Sequence, residues 1–398
     1  MINKKNRYLI ACSGGPDSMA LLHMFNKKGY QLEVAHVNHH KRDTAKRDED
    51  IVRDFCKKNN IVFNKLDLDL NKCKGNFQAF ARKERYEYFK KICNEHNLDG
   101  VLLGHQKDDV IETYLMQKSK KVGVKEYGLA YHNNLYGVEV YRPLLNKSKN
   151  ELIEYCKKNN VKYGIDESNL EDHYERNKVR HSRVEKMSEK QKDEIIRQIK
   201  SDNLEALNKE KQVTKFIDSH KGRYDYKQFI EFPYLKVLLR RIFGTNLSDK
   251  YLDEMIRQLQ SCKKCVFLRN NIYLVKEYDY IETFTKPLTY SIKIKENGYG
   301  DYEYFRIVKK SKKLLTGATV SKDDYPLTIR NYMEGDSIKM KYGTKKVNRF
   351  FIDNKISYRQ RLTYPVVFNR DGIAILVPGI GSNFTHYSLK NNIYVVLK

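Results

Sequence analysis

No tryptophan occurs among the 398 residues, and negative charge is in short supply: 50 Asp and Glu stand against 76 Lys and Arg, a formal charge of +26. The missing tryptophan and the abundance of Asn and Tyr fit a compositional bias toward lysine, which alone would give a solvated basic surface. A surplus this large, interleaved with 30 tyrosines and 17 phenylalanines, also suits a chain that follows a phosphate backbone and stacks bases. Nucleic acid is the partner expected from charge. Cysteine forms no framework: Cys12, Cys56, Cys73, Cys93, Cys156, Cys262 and Cys265 are scattered and odd in number. That excludes a disulfide scaffold and predicts reduced thiols. Cys262-Lys-Lys-Cys265 has redox or zinc spacing but lacks a second pair to complete a tetrahedron, and is read as incidental. Long apolar runs are lacking too. Met1–Arg7 is polar and the first apolar run is too short to span a bilayer, so a soluble, cytoplasmic protein without a secretory segment is expected.

What is present is organised around Leu9 to Phe25. An apolar strand, Tyr8 to Cys12, runs into Ser13-Gly-Gly-Pro-Asp-Ser18, and the apolar pattern behind it predicts a helix opening at Ser18 or Met19. Gly14 and Gly15 remove side chains where backbone must approach oxygens, and Ser13 and Ser18 add hydroxyls. The helix N-terminus supplies unpaired N–H groups and partial positive charge, which suits a pyrophosphate. The turn lacks the lysine of G-x-x-x-x-G-K-[ST] and the spacing of G-x-G-x-x-G. Asp17 would repel a bare phosphate but serves well if Mg2+ lies between.

The first half then alternates strand and helix: strand Gln31 to Asn38, helix Asp43 to Asn59, strand Ile61 to Leu68, helix Phe77 to Glu95, strand Gly100 to Leu103 and helix Asp109 to Gln117. This rhythm predicts an α/β fold, a doubly wound and mostly parallel sheet, with ligands beyond the carboxyl ends of the strands. Two of those ends carry Ala35-His-Val-Asn-His-His-Lys-Arg42 and Gly104-His-Gln-Lys-Asp-Asp-Val-Ile-Glu-Thr113. His105 and Asp109, four apart across a helix start, can point the same way. In the helix between, Phe77, Phe80, Ala81, Tyr88 and Phe89 form an expected buried stripe, while Arg82 and Arg85 share another face.

Taken in order, these segments with Ala81-Arg-Lys-Glu-Arg-Tyr86, Arg142-Pro-Leu-Leu145, Asp166-Glu-Ser-Asn169 and Arg176-Asn-Lys-Val-Arg180 resemble the tRNA(Ile)-lysidine synthetase family, of the PP-loop ATP pyrophosphatases. One departure follows Thr113: the family's Arg-Gly-rich loop is replaced by Gln117-Lys-Ser-Lys-Lys-Val-Gly-Val-Lys125, which keeps basic charge. The resemblance implies a ligase that adenylates O2 of the wobble cytidine of tRNA(Ile) bearing CAU, using ATP, then displaces AMP with the ε-amine of free lysine. The product, lysidine, would change codon reading from AUG to AUA. On this reading Ser13, Gly14, Gly15, Pro16, Asp17 and Ser18, with His36, bind ATP, and Asp17 positions the metal. Arg85, Arg176 and Arg180 neutralise phosphoryl charge, and His105 and Asp109 handle the base or the lysine. Lysine's amine, with a pKa of about 10.4, is free in roughly one molecule per thousand at neutral pH, so the site must remove a proton or recognise the ammonium.

The second half has a different texture. Ser188 to His220 predicts one long charged helix with Ile195, Ile196, Ile199, Leu204, Leu207 and Val213 as a sparse seam. A helical module should continue to about Ser261, followed by a hairpin across Arg269-Asn-Asn271 and, from Tyr290, short strands. Asn331-Tyr-Met-Glu-Gly-Asp336, Lys345-Lys-Val-Asn-Arg-Phe-Phe-Ile-Asp353, Arg359-Gln-Arg-Leu-Thr-Tyr-Pro365 and Val377-Pro-Gly-Ile-Gly381 resemble the family's C-terminal domain. The expected division is a catalytic domain 1–187, a linker helix and helical tRNA-binding module 188–285, and a β-rich tRNA-binding domain 286–398. The rivals are a tRNA-thiolating enzyme of the same superfamily and a non-catalytic RNA-binding protein.

Overall fold

The structure is a computed structural model describing residues 2–38, 45–69, 73, 75–120, 124, 126–164, 175–244, 247–310 and 316–398. The expectations for positions 39–44, for Asp166-Glu-Ser-Asn169 and for part of the loop 117–125 lie outside the described residues. The chain divides into two compact units, Met1–Lys211 and Gln212–Lys398.

The first unit is built on β1 (Arg7–Ala11), whose Tyr8, Leu9 and Ile10 are completely buried. A strand this continuously apolar belongs in the middle of a parallel sheet covered on both faces. The chain runs from β1 through α1 (Pro16–Lys27), β2 (Gln31–Asn38), α2 (Ala45–Lys58) and β3 (Val62–Asp67) to one side of β1. It then crosses by α3 (Phe77–Glu95) to β4 (Gly100–Leu103) on the other side and continues into α4 (Lys107–Ser119). The sheet closes with a hairpin of β5 (His132–Leu135) and β6 (Val138–Tyr141), followed by α5 (Lys149–Lys158) and α6 (Glu175–Ser182). The order is β3-β2-β1-β4-β6-β5, parallel throughout except for edge strand β5. The direction of winding therefore reverses between β1 and β4, where such sheets open a crevice at their carboxyl edge.

Three expectations are corrected. Helix α1 starts at Pro16, ahead of the predicted Ser18 or Met19, because proline lacks only an N–H that the first turn leaves unpaired anyway and its fixed φ is already helical. The buried face of α3 carries Ala81, Tyr86, Phe89, Ile92 and Cys93; Tyr86, not Tyr88, occupies the stripe, and Phe77 and Phe80 are only partly buried. Along α7 (Glu189–His220) the seam is interrupted: Ile199 and Val213 are buried, but Leu204 and Leu207 are 62% and 50% exposed. Ile195, Ile196 and Ile199 pack with Val110 and Tyr114 of α4, whereas Val213 belongs to the core of the second unit, so the exposed leucines fall between two separate cores.

In that second unit Val213, Tyr224, Phe229, Leu238, Phe243, Leu252 and Leu274 enclose the first core. It rests on a four-stranded sheet whose hairpin turns at Asn270 and Asn271, both at positive φ (48° and 60°). Asparagine tolerates that conformation, which a two-residue hairpin turn matching strand twist requires. Beyond it, Ile294, Phe305, Ile307, Leu327, Ile329, Val367 and Leu376 fill the core of an antiparallel β region, with a satellite core around Phe350, Phe351 and Tyr364.

Candidate active site

The phosphate loop lies at the carboxyl end of β1. Gly14 sits at φ +92°, and a Cβ there would lie 2.9 Å from both Cβ and the carbonyl oxygen of Asp48, so only glycine fits. Gly15 differs: a Cβ would meet only Ser13 Oγ, at 3.7 Å. Its bareness keeps the space in front of the loop open. No side chain caps the N-terminus of α1, which leaves the first-turn N–H groups facing that space with the positive end of the helix dipole. The two hydroxyls are 3.3 Å apart, and Ser18 donates to the Gly15 carbonyl at 3.0 Å. From β4, Gly104 closes on the loop so tightly that an added Cβ would stand 3.1 Å from the Ser18 nitrogen. His36 is buried, and its Nδ1 lies 2.9 Å from the Cys12 carbonyl, so it holds the backbone leading into the loop. Burial lowers its pKa, keeping it neutral.

Asp17, in the first turn of α1, is the most strained charge of the site. Its Oδ1 is buried, and among the described residues it has no hydrogen-bond partner. Burial, reinforced by the neighbouring Asp109, pushes its pKa up to about 7, against the pull of Lys149 and Arg180. A buried carboxylate oxygen left open beside an anion cradle is suited to a hard divalent cation that brings phosphate and water oxygens with it. Among the described residues no group of three or more His, Cys, Asp and Glu side chains could cage a metal, so such an ion would depend on phosphate ligands.

Beside Asp17, α4 and α6 form a lattice of charges. Asp109 and Glu112 lie three apart on α4, and Arg176 and Arg180 four apart on α6, so each pair shares one face. Arg176 reaches Glu112 Oε2 and Asp109 Oδ1, both at 2.7 Å, and Arg180 grips both oxygens of Glu112 at 2.5 and 3.1 Å. Glu112 is completely buried. The other oxygen of Asp109 accepts the Gln106 backbone N–H at 2.9 Å in a capping box, so this carboxylate is fully engaged.

His105 precedes α4. Its Nδ1 accepts from Arg142 Nε at 3.2 Å, and burial pushes its pKa down to about 4 even though Asp109 opposes the shift. At neutral pH the ring is therefore uncharged, with its proton on Nε2, an edge that has no hydrogen-bond partner among the described residues and can donate. Arg142 is anchored by the Ala130 carbonyl and Asn133 Oδ1, both at 2.8 Å. Farther along, Arg85 is largely buried, and among the described residues its Nε has no partner, the converse of Asp17. Arg82, which stacks on Tyr86 at 5.2 Å, contributes charge felt by both His105 and Arg85.

The structure thus draws Asp17, Asp109, Arg176, Arg180 and His105 into one continuous electrostatic group, while Arg85 connects to it indirectly, through the field of Arg82 and through Tyr86, which also interacts with Arg142. Sequence reasoning passed over Glu112, Arg142 and Lys149 as site residues. For Glu112 the signal was available in its spacing of three from Asp109; the contact of Arg142 with His105 and the field of Lys149 at Asp17 arise only in three dimensions.

A model of the PP-loop domain matches residues 2–187. The tRNA(Ile)-lysidine synthase of Mesoplasma florum is 32% identical over 397 residues, covering 92% of this chain and 96% of that protein. That of Mycoplasma mycoides is 31% identical over 387 residues, with 92% and 95% covered. The Clostridioides difficile enzyme is 28% identical over 452 residues, covering 100% of this chain and 96% of its own length. With similarity running through both units of the structure, the chain belongs to the tRNA(Ile)-lysidine synthase family of ligases built on a PP-loop domain.

Proposed function

We propose that this chain attaches lysine to C2 of the wobble cytidine of tRNA(Ile) bearing CAU, giving lysidine and turning AUG reading into AUA reading. The observation that carries the proposal is the unpartnered Asp17 carboxylate between an open phosphate loop and the Arg176–Arg180 lattice. It combines with relatives that are named for lysidine synthesis. In the first step cytidine O2 bonds to the α-phosphorus of ATP and pyrophosphate departs with the electron pair. In the second, the lysine ε-ammonium gives up a proton to solvent, the freed nitrogen bonds to C2, the C2–O2 bond breaks and AMP leaves with O2 and the electron pair. Mg2+ bound at Asp17 would offset phosphate charge, while the loop from Ser13 to Ser18 orients the leaving pyrophosphate. Arg85, Arg176 and Arg180 supply positive charge where negative charge develops.

His105 fits a neutral hydrogen-bond donor to the base better than a proton acceptor, because its Nδ1 lone pair is occupied and its pKa is about 4. Asp109, committed to Gln106 and Arg176, serves as a fixed negative charge toward which an incoming ammonium is drawn. Thiolation finds little support around the loop: burial raises the thiols of Cys12 and Cys156 to about 11, leaving them protonated and poorly nucleophilic. The basic stretches of residues 188–285 and 286–398 are assigned to holding the tRNA body. Mass analysis of the wobble nucleoside after incubation with ATP, lysine and transcript tests the whole reading. Lysidine with matching AMP release is expected; sulfur incorporation, or bound tRNA with unchanged cytidine, would overturn it.

A further inference from the structure

An anion cradle made of backbone works only if its carbonyl oxygens, which repel phosphate, are turned elsewhere. In the phosphate loop the Cys12 carbonyl faces His36 Nδ1, and the Gly15 carbonyl accepts the Ser18 hydroxyl and the Met19 N–H, both at 3.0 Å. The Gly14 carbonyl is held from much farther along the chain, by the Gly164 N–H at 2.9 Å. In a trans peptide the N–H points opposite to the C=O, so fixing this carbonyl toward Gly164 also fixes the Gly15 N–H on the other side of the loop. Among the described residues the N–H groups of Gly15, Asp17 and Ser18 have no hydrogen-bond partner. Successive unpaired donors at a helix start suit an anion.

Gly164 reaches the loop because the chain leading to it is anchored. Val161, just beyond α5, is buried in the core that contains Cys12 and Met19, and Tyr163 packs against that core. Asp48, in the first turn of α2, presses its Cβ and carbonyl oxygen on Gly14. Its carboxylate, held by Arg47 Nε and Nη2 at 3.0 Å each, fills the space where residue 164 would carry a side chain. A Cβ there would stand 1.9 Å from Asp48 Oδ1 and 2.7 Å from Cγ. The backbone of Gly164 lies outside the left-handed region, so the neighbouring carboxylate, and not its own φ, requires glycine.

We infer that Gly164 is a positioning residue for the phosphate loop: its N–H holds the Gly14 carbonyl out of the anion cradle and so presents the Gly15 N–H to the β- and γ-phosphates of ATP. The Asp48 carboxylate sets how closely residue 164 approaches. This rests on the reading that the loop holds the pyrophosphate portion of ATP. A loop released from Gly164 can turn the Gly14–Gly15 peptide over, which places a carbonyl oxygen where a phosphate oxygen belongs. Gly164 thus acts through the loop and touches no reacting atom.

The test uses the full chain and magnesium pyrophosphate as the probe, with Gly164→Ala, Asp48→Ala and the double variant compared by titration calorimetry. With Asp48 present, Gly164→Ala should weaken pyrophosphate binding about tenfold or more, as expected for losing one hydrogen bond to a charged group. In the Asp48→Ala background the added methyl has room, and its penalty should largely vanish. In tRNA-dependent turnover Gly164→Ala should raise the KM for ATP and leave the KM for lysine unchanged. A measurement on the unsubstituted chain is independent of any folding defect. In protein carrying isotope-labelled glycine, the Gly164 amide should exchange slowly with solvent before ligand is added, and the Gly15 amide resonance should shift when magnesium pyrophosphate binds. Unchanged affinity in Gly164→Ala, an equal penalty in both backgrounds, or a Gly15 resonance indifferent to pyrophosphate overturns the inference. Pyrophosphate binding that depends on Gly164 in a chain that never cleaves ATP would leave the inference standing and sink the proposed reaction instead.

Discussion

Asp17→Asn abolishes adenylation, leaves tRNA affinity within about twofold, and makes the ligand-free protein more resistant to heat. The three outcomes share one cause. Loss of charge removes the carboxylate that would hold the metal, a contribution of several kcal/mol to the transition state, while the basic surfaces that attract RNA are untouched. Stability moves the opposite way because ionised Asp17 is unfavourable in the folded chain. Burial, together with the nearby Asp109, raises its pKa from 3.8 to about 7. Between about pH 4 and pH 7 the folded protein retains a proton that the unfolded chain has lost. Wild-type stability therefore falls as pH rises through this window and levels off above it. The asparagine variant escapes that fall, which is worth on the order of 1–4 kcal/mol at about 1.4 kcal/mol per pKa unit. Thermal melting across this pH range, compared with pyrophosphate release, checks both halves. A variant less stable than wild type at pH 8 would contradict the account of Asp17.

Glu112 should behave in the reverse manner. It is completely buried and receives three hydrogen bonds from Arg176 and Arg180. Glu112→Ala leaves two guanidinium groups without their principal partner, so it should cost about 3–5 kcal/mol of stability and reduce turnover at least a hundredfold by releasing α6 from α4. Pairing Glu112→Leu with Arg180→Met separates the two effects. Replacing buried charge by apolar volume should recover much of the stability, but turnover should stay low because the Arg180 guanidinium is gone while Arg176 remains held by Asp109. Urea denaturation and single-turnover adenylation measure the difference. If the double variant regains activity with stability, the lattice is only a structural brace.

Much of the catalytic unit was legible because its signals are local. The α3 and β4 boundaries fall where the sequence places them, at Phe77–Glu95 and Gly100–Leu103, since an asparagine cap starts the helix and buried apolar residues mark the strand. The turn at Asn270 and Asn271 was legible for the same reason. The β5–β6 hairpin escaped notice: His132-Asn-Asn-Leu135 is short, polar and half exposed, and is held at the sheet edge by pairing with β6. The site shows the same division. Ser13-Gly-Gly-Pro-Asp-Ser18 declares itself through spacing, and Asp109 with Glu112 could be placed on one helical face. Their partners Arg176 and Arg180 are more than sixty residues away. Likewise, the neutral state of His105 depends on burial and on three arginines from separate elements, which one-dimensional spacing does not reveal.

The central claim is tested most directly by supplying ATP and labelled lysine to two tRNA(Ile) transcripts, one with CAU and one with its wobble cytidine replaced by uridine. Both bases offer a C2 carbonyl, but the exocyclic amine of cytosine helps carry the positive charge that develops when O2 is adenylated. A site built to pair with that amine also loses about 1–3 kcal/mol when it is left unsatisfied by uracil. Label should enter the CAU transcript and be absent from the other. Equal labelling of both, or cleavage of ATP without lysine incorporation, would contradict the account.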